Sequence, residues 1–298
     1  MIHMNKSKKL FSFLFLLISS TVLLNSTAVM GQIKATKTID EGGSGPFKAY
    51  AVSETSLPDY VVYRPQDLSA AVQKLGKLPV FIWANGACAN SSIHHERMLN
   101  EIASHGYVIV AVGPLQMTEE ERSYARTADT VMLPALDWIQ AQAQLKGSAY
   151  FEQIDLRKIA VGGQSCGGAQ TFRIAADPRI QTYLIFNSGM GPLQMAGASS
   201  LNLPLLHKPV IYILGGVEEV AYKNALTDYE LIHHVPVVFA NHLTAGHGGT
   251  FSEPYGGSYS QMALDWLNWV FRGVDQTSLF VHHRLWKYPG WTIKSKGF

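Results

Sequence analysis

The run Lys158-Ile159-Ala160-Val161-Gly162-Gly163-Gln164-Ser165-Cys166-Gly167-Gly168 is a short apolar segment that leads directly into a G-x-S-x-G pattern. The residues after it, Ala169-Gln170-Thr171-Phe172-Arg173-Ile174-Ala175, suit a helix. A strand, a sharp turn carrying serine and then a helix is the setting of a nucleophile elbow. The turn holds the serine backbone in a strained conformation. Side chains two residues before and two after would clash, which accounts for Gly163 and Gly167. The helix N-terminus directs its free N–H groups at the place where attack on an acyl carbon creates negative charge. The alternative is a glycine-rich β–α turn with an incidental serine. It leaves the matching strand and helix on either side unexplained.

A serine hydroxyl needs a base. With an elbow of this kind the chain order is serine, then a carboxylate, then histidine. The apolar run at 209–214 opens into a loop containing Glu218 and Glu219, and either can turn inward from a strand end. After the next apolar run comes His247, between Gly246 and Gly248, where little hinders a ring from approaching the serine. His242 competes but sits closer to the strand. His233 and His234 fall at a helix end and suit the surface. Asp228 is the reserve acid if neither glutamate serves. The oxyanion hole needs two N–H donors. One is Cys166, directly after the nucleophile. The other belongs to the segment Asn85-Gly86-Ala87-Cys88, with Ala87 first and Cys88 as the alternative. Both segments must converge on one oxygen, so a Cys88–Cys166 disulfide is expected. Two free thiols packed as small apolar residues are the competing arrangement. The adjacent pairs His94/His95 and His282/His283 should point apart, and no cysteine or carboxylate set completes a metal site. No dinucleotide fingerprint follows a strand. Neither a metal nor an organic cofactor is expected.

Several elements must hold these residues. Apolar runs at 60–63, 79–84, 107–112, 158–162, 182–187, 209–214 and 236–240 read as strands. Several are apolar throughout, as in parallel strands buried on both faces. Amphipathic segments at 95–105, 128–144, 166–176, 222–233 and 258–272 read as helices between them. Pro134 either starts the second helix or kinks it. The alternation implies one α/β domain at 32–298: a doubly wound, mostly parallel sheet with helices on both faces. Ligands of such sheets bind beyond the carboxyl ends of the strands, where the loops above lie. Trp266 and Trp269 suit core packing. Met190 and Met195 suit either an apolar acyl pocket or core filling.

Residues 1–31 read as a secretory signal peptide. Lys6, Lys8 and Lys9 precede a mostly apolar stretch at 10–24, and Val29 and Gly31 fit the cleavage positions before Gln32. The polar residues Ser19, Ser20, Thr21 and Asn25 argue against a retained membrane anchor. Cleavage removes three lysines and no acids, turning a formal net charge of +2 into −1. That leaves no basic field for nucleic acid. With 47% hydrophobic residues, the chain can build a large core. Export makes a disulfide permissible.

The chain resembles the secreted α/β-hydrolases grouped with dienelactone-hydrolase-like and cutinase- or polyester-hydrolase-like serine esterases. The similarity lies in Trp83-Ala84-Asn85-Gly86-Ala87-Cys88, Glu101-Ile102-Ala103-Ser104-His105-Gly106, Gly163-Gln164-Ser165-Cys166-Gly167-Gly168, the loop at 215–222 and Gly246-His247-Gly248-Gly249-Thr250. It spans most of the chain from Val80 to Trp291. Members often carry Asp where this chain has Glu219, followed by the Ala-Tyr pair, which favours Glu219 over Glu218. The usual His-Gly of the oxyanion loop is Asn85-Gly86 here. The resemblance implies a secreted or periplasmic serine hydrolase that cleaves small-molecule or polymer-borne carboxylic esters with a Ser165–Glu219–His247 triad. The charge balance and the leader pattern point to neither a nucleic-acid partner nor a stable membrane anchor once the signal is cleaved. An acyltransferase using the same acyl-enzyme and a non-catalytic binding module on a hydrolase scaffold are the alternatives.

Overall fold

The computed structural model describes residues 32–298. The signal-peptide reading of residues 1–31 lies outside them. In chain order the strands and helices are β1 (Ile33–Lys37), β2 (Ala49–Glu54), β3 (Tyr60–Pro65), α1 (Leu68–Leu75), β4 (Leu78–Ala84), α2 (Glu96–Ser104), β5 (Val108–Val112), α3 (Met132–Gln144), β6 (Ile154–Gln164), α4 (Cys166–Arg173), β7 (Thr182–Phe186), β8 (Val210–Leu214), α5 (Tyr222–Leu231), β9 (Val237–His242), α6 (Gly257–Arg272), α7 (Thr277–Phe280) and β10 (Trp291–Lys296).

All ten strands form one sheet, in the order β1-β2-β3-β5-β4-β6-β7-β8-β9-β10. The six central strands, β5 through β9 in that order, pair in parallel. Their residues are buried almost without exception, which explains the continuous apolar runs. The flanks are antiparallel: β1, β2 and β3 on one side and β10 on the other. Of these, β1, β2 and β10 are not among the strands expected from the sequence, nor are the helices α1 and α7. β10 alternates buried and exposed residues at its start, so one face is wet and the apolar signal is halved.

Two apolar layers cover the sheet. One packs α1, α3, α4 and α5 through residues such as Leu68, Ile139, Phe172 and Tyr229. The other packs α2, α6 and α7 through Met98, Trp266 and Phe280. Trp266 is fully buried, and its Nε1–H donates to Thr182 Oγ1 at 2.9 Å. Trp269 stacks on Phe280 and Phe298 at the edge of the same layer. Pro134 falls in the first turn of α3, where its missing N–H costs no helical hydrogen bond. It therefore starts the helix without kinking it.

The chain leaves β4 toward β5 on one side and returns to β6 on the other. That makes the carboxyl ends of β4 and β6 the switch point of the sheet. Cys88 and Cys166 sit there, joined by a disulfide with Cα atoms 5.0 Å apart. Both are buried. The bridge closes a separation of 78 residues, so it restricts the unfolded chain strongly. The Cys88→Ala/Cys166→Ala protein should lose about 2–5 kcal/mol of stability and on the order of 10 °C in Tm. Calorimetry with and without reductant tests this: a Tm indifferent to both the double substitution and reductant rules it out.

Candidate active site

Ser165 stands at the turn from β6 into α4, with φ 53° and ψ −116°. This left-handed strain lifts its side chain out of the sheet. The two elbow glycines are required by close approach. A Cβ on Gly163 would lie 2.5 Å from the Gly167 carbonyl carbon, and one on Gly167 would lie 2.2 Å from Ala84 O. The clash is therefore with the end of β4 as well as within the turn.

His247 Nε2 is 3.0 Å from Ser165 Oγ. On the other side of the ring, His247 Nδ1 makes a short hydrogen bond with Glu219 Oε1. The Glu219 side chain is fully buried, and its Oε2 has no hydrogen-bond partner among the described residues. Glu218 points into solvent and does not reach His247. Asp228 lies in α5, buried beneath the loop after β7, where it accepts the N–H groups of Met190 and Gly191 at 2.6 and 2.8 Å. Burial pushes its carboxyl up to about 6. It anchors that loop and makes no contact with His247. His242 packs on Trp291 and accepts Thr244 N–H, away from Ser165. His233 is exposed beyond α5, and His234 bonds Leu206 O.

The histidine loop is gripped from below. Gly246 N–H donates to Gly215 O at 2.6 Å, and a Cβ on Gly215 would sit 1.9 Å from Gly246 O. The carbonyl of His247 accepts two side-chain amides: Gln164 Nε2 at 3.1 Å and Asn187 Nδ2 at 2.9 Å. Asn187 is held in turn by the buried Tyr259 hydroxyl, which donates to its Oδ1 at 2.9 Å. Sequence reasoning missed both amides. Asn187 follows the carboxyl end of β7, and Gln164 is the variable residue of the elbow pattern, so position alone marked them as candidates.

Ala87 and Cys88 both have left-handed backbones, with φ of 56° and 52°. Ala87 shares a cavity of about 370 Å³ with Ser165 and His247. A second lobe of about 230 Å³ opens on the other side of Ser165, lined by Leu193, Met195 and Val220. Of the two methionines weighed for an acyl pocket, Met195 lines this lobe, whereas Met190 is fully buried in the core. His94 and His95 do not point apart: their rings lie 5.0 Å from each other and both line the larger cavity. They sit in a tight turn ahead of α2, where neighbouring side chains can share a side. A separate surface hollow of about 400 Å³ lies near α2 and α6. Its carboxylates are already engaged, Glu101 with Ser44 and His105, and Asp265 with Tyr288 and Gln276. Among the described residues no group of three or more His, Cys, Asp or Glu is arranged to hold a metal ion.

A parallel sheet with a strained serine at its switch point, and a histidine and a carboxylate on the following loops, defines an α/β-hydrolase. The chain matches the model of the PET hydrolase-like family over residues 33–276, and it belongs to that family. It is also similar to the hydrolase ffsE of Aspergillus flavipes, with 34% identity over 136 residues that cover 43% of this chain and 29% of that protein. The chain thus spans under a third of that relative's length. Membership of the PET hydrolase-like family is in keeping with the resemblance carried by the motifs.

Proposed function

We propose that the protein is an exported serine hydrolase that cleaves carboxylic esters through an acyl-enzyme on Ser165. The observation that carries this reading is the continuous contact from Ser165 Oγ through the His247 ring to Glu219. His247 Nε2 takes the proton of the Ser165 hydroxyl as Oγ attacks the ester carbonyl carbon. The carbonyl oxygen becomes an oxyanion and accepts the N–H groups of Ala87 and Cys166. Collapse of the intermediate breaks the bond to the alcohol oxygen, which takes the proton from His247. Water then attacks the acyl carbon while His247 takes its proton, and the acid leaves as Oγ is reprotonated. Glu219 keeps the ring in the productive tautomer and stabilises the imidazolium. The disulfide behind Ala87 and Cys166 ties the two donors together, where small displacements weaken transition-state stabilisation.

Export is supported by the leader pattern at residues 1–31 and by the disulfide, which persists in oxidising compartments. Among the described residues no helix is long and apolar enough to cross a membrane. The substrates are small-molecule or polymer-borne esters. A serine-directed phosphonate is expected to label Ser165 alone, and hydrolysis of a panel of acyl esters should stop in step with labelling. Labelling elsewhere, or hydrolysis that continues in the fully labelled protein, overturns the assignment.

A further inference from the structure

The cavity on the Ala87 side of Ser165 has a charge that ester hydrolysis itself does not require. Arg122, Tyr124, His94 and His95 line it together with Ser165 and His247, and no Asp or Glu does. Arg122 lies on the irregular stretch between β5 and α3 and is half-buried. Its guanidinium carbon is 4.9 Å from the centre of the Tyr124 ring. Among the described residues it takes part in no ion pair. Glu121, one residue earlier, is occupied by Met117 N–H, and Glu119 stays outside the lining. The guanidinium is thus held over an aromatic face and faces the cavity without an ion-pair partner, although the charge of Glu119 is felt at His94 in the same wall.

A second feature of the same cavity also lacks a partner. His95 is 2% exposed, packed among Trp83, His94 and Phe251, and neither ring nitrogen has a hydrogen-bond partner. The Gln164 carboxamide is within hydrogen-bonding reach of the ring, but the geometry falls short of a full bond. Burial first, then the charges of His94 and Arg122, hold its pKa well below the usual histidine range. The ring is therefore neutral at pH 7. Burial and then Arg122 lower His94 as well. Both ring nitrogens are sealed from solvent, so His95 forms a neutral part of the cavity wall and Arg122 supplies its positive charge.

We propose that this cavity is an anion-recognising subsite, so that preferred substrates are esters bearing a carboxylate on the arm that enters it, paired with the Arg122 guanidinium. The other arm occupies the apolar lobe of Leu193, Met195 and Val220. A planar guanidinium binds a carboxylate through two parallel N–H···O bonds, which fixes the arm as well as attracting it. Cleavage of a polyester, or of a diester of a dicarboxylic acid, leaves a carboxylate on the new acyl end. The subsite therefore selects fragments that have been cut once already, and the reaction that supplies them is an earlier ester cleavage. This inference rests on the reading of Ser165 as the nucleophile.

The test compares kcat/KM for two matched pairs of probes, each value normalised to alkaline hydrolysis. The 4-nitrophenyl monoester of glutaric acid against 4-nitrophenyl pentanoate places the charge on the acyl arm. 4-Acetoxybenzoate against phenyl acetate places it on the leaving arm. The wild-type enzyme should prefer the anionic member of one pair by roughly 10–100-fold, mostly through KM. Arg122→Ala should bring that ratio to about one, Arg122→Lys should keep part of it, and high salt should shrink it in the wild type. Hydrolysis without an anionic preference, or a preference that survives Arg122→Ala, overturns the subsite while the ester-hydrolase reading stands. Hydrolysis of neither pair, with no phosphonate label on Ser165, overturns the underlying reading instead.

Discussion

Ser165→Ala is expected to lower kcat for ester hydrolysis by about 10⁴–10⁶-fold while leaving the fold in place. The two halves of this expectation have different physical origins. The hydroxyl is the atom that forms the bond to the acyl carbon, so its removal eliminates the acyl-enzyme route. Only the oxyanion donors and substrate positioning remain to accelerate direct attack by water. Stability, by contrast, depends little on that oxygen, which makes one hydrogen bond, to His247 Nε2. The strain at φ 53° belongs to the backbone and is the same for alanine. The Tm should therefore move by only a few degrees. Full-length kinetics of the purified variant beside its thermal melt decide the point: turnover close to wild type in a well-folded protein removes Ser165 from the mechanism.

What was legible in the sequence divides along a physical line. Ser165 and His247 stood out because their surroundings are encoded locally. Glycines flank both, and each follows an apolar run that is now seen as a buried central strand. The central parallel strands were legible for the same reason, since burial on both faces leaves an uninterrupted apolar signature. The edge strands β1 and β10 were not, because β1 is largely exposed and β10 alternates, and β2 was not because Ser53 and Glu54 interrupt its apolar run although most of it is buried. Glu218 and Glu219 could not be separated from local pattern, because adjacent residues in a turn exchange inward and outward positions with one change of backbone. Gln164 and Asn187 escaped because their role is to bond a carbonyl 83 and 60 residues away, which no spacing announces. His95 and Arg122 escaped likewise: each belongs to an irregular segment whose path over the cavity is set by tertiary packing. The left-handed backbone of Ala87 and Cys88 was hidden for a different reason, since neither residue type advertises positive φ.

Glu219→Gln should reduce kcat by about 10²–10⁴-fold with little change in KM, whereas Glu218→Gln should stay within about threefold of wild type. The contrast follows from where the two side chains lie. Glu218 is in solvent, where its charge is screened. Glu219 is fully buried against His247 Nδ1, in surroundings where charge acts strongly on the ring. During acyl transfer the ring becomes an imidazolium, and a buried carboxylate beside it stabilises that state more than the neutral ground state. This is why the loss falls on kcat. Glutamine removes the charge and adds a second fault: its amide N–H₂ can donate to Nδ1, which favours the tautomer with hydrogen on Nε2. That tautomer cannot accept the Ser165 proton. Glu219→Asp keeps the charge but shortens the reach by one methylene, so an intermediate loss is expected. A carboxylate supplied at the same point with compromised geometry separates charge from tautomer control. Side-by-side kinetics of the three variants, with melts to verify folding, test the assignment. Larger losses in Glu218→Gln than in Glu219→Gln would move the acid to Glu218. Small effects in all three would remove the carboxylate from the triad.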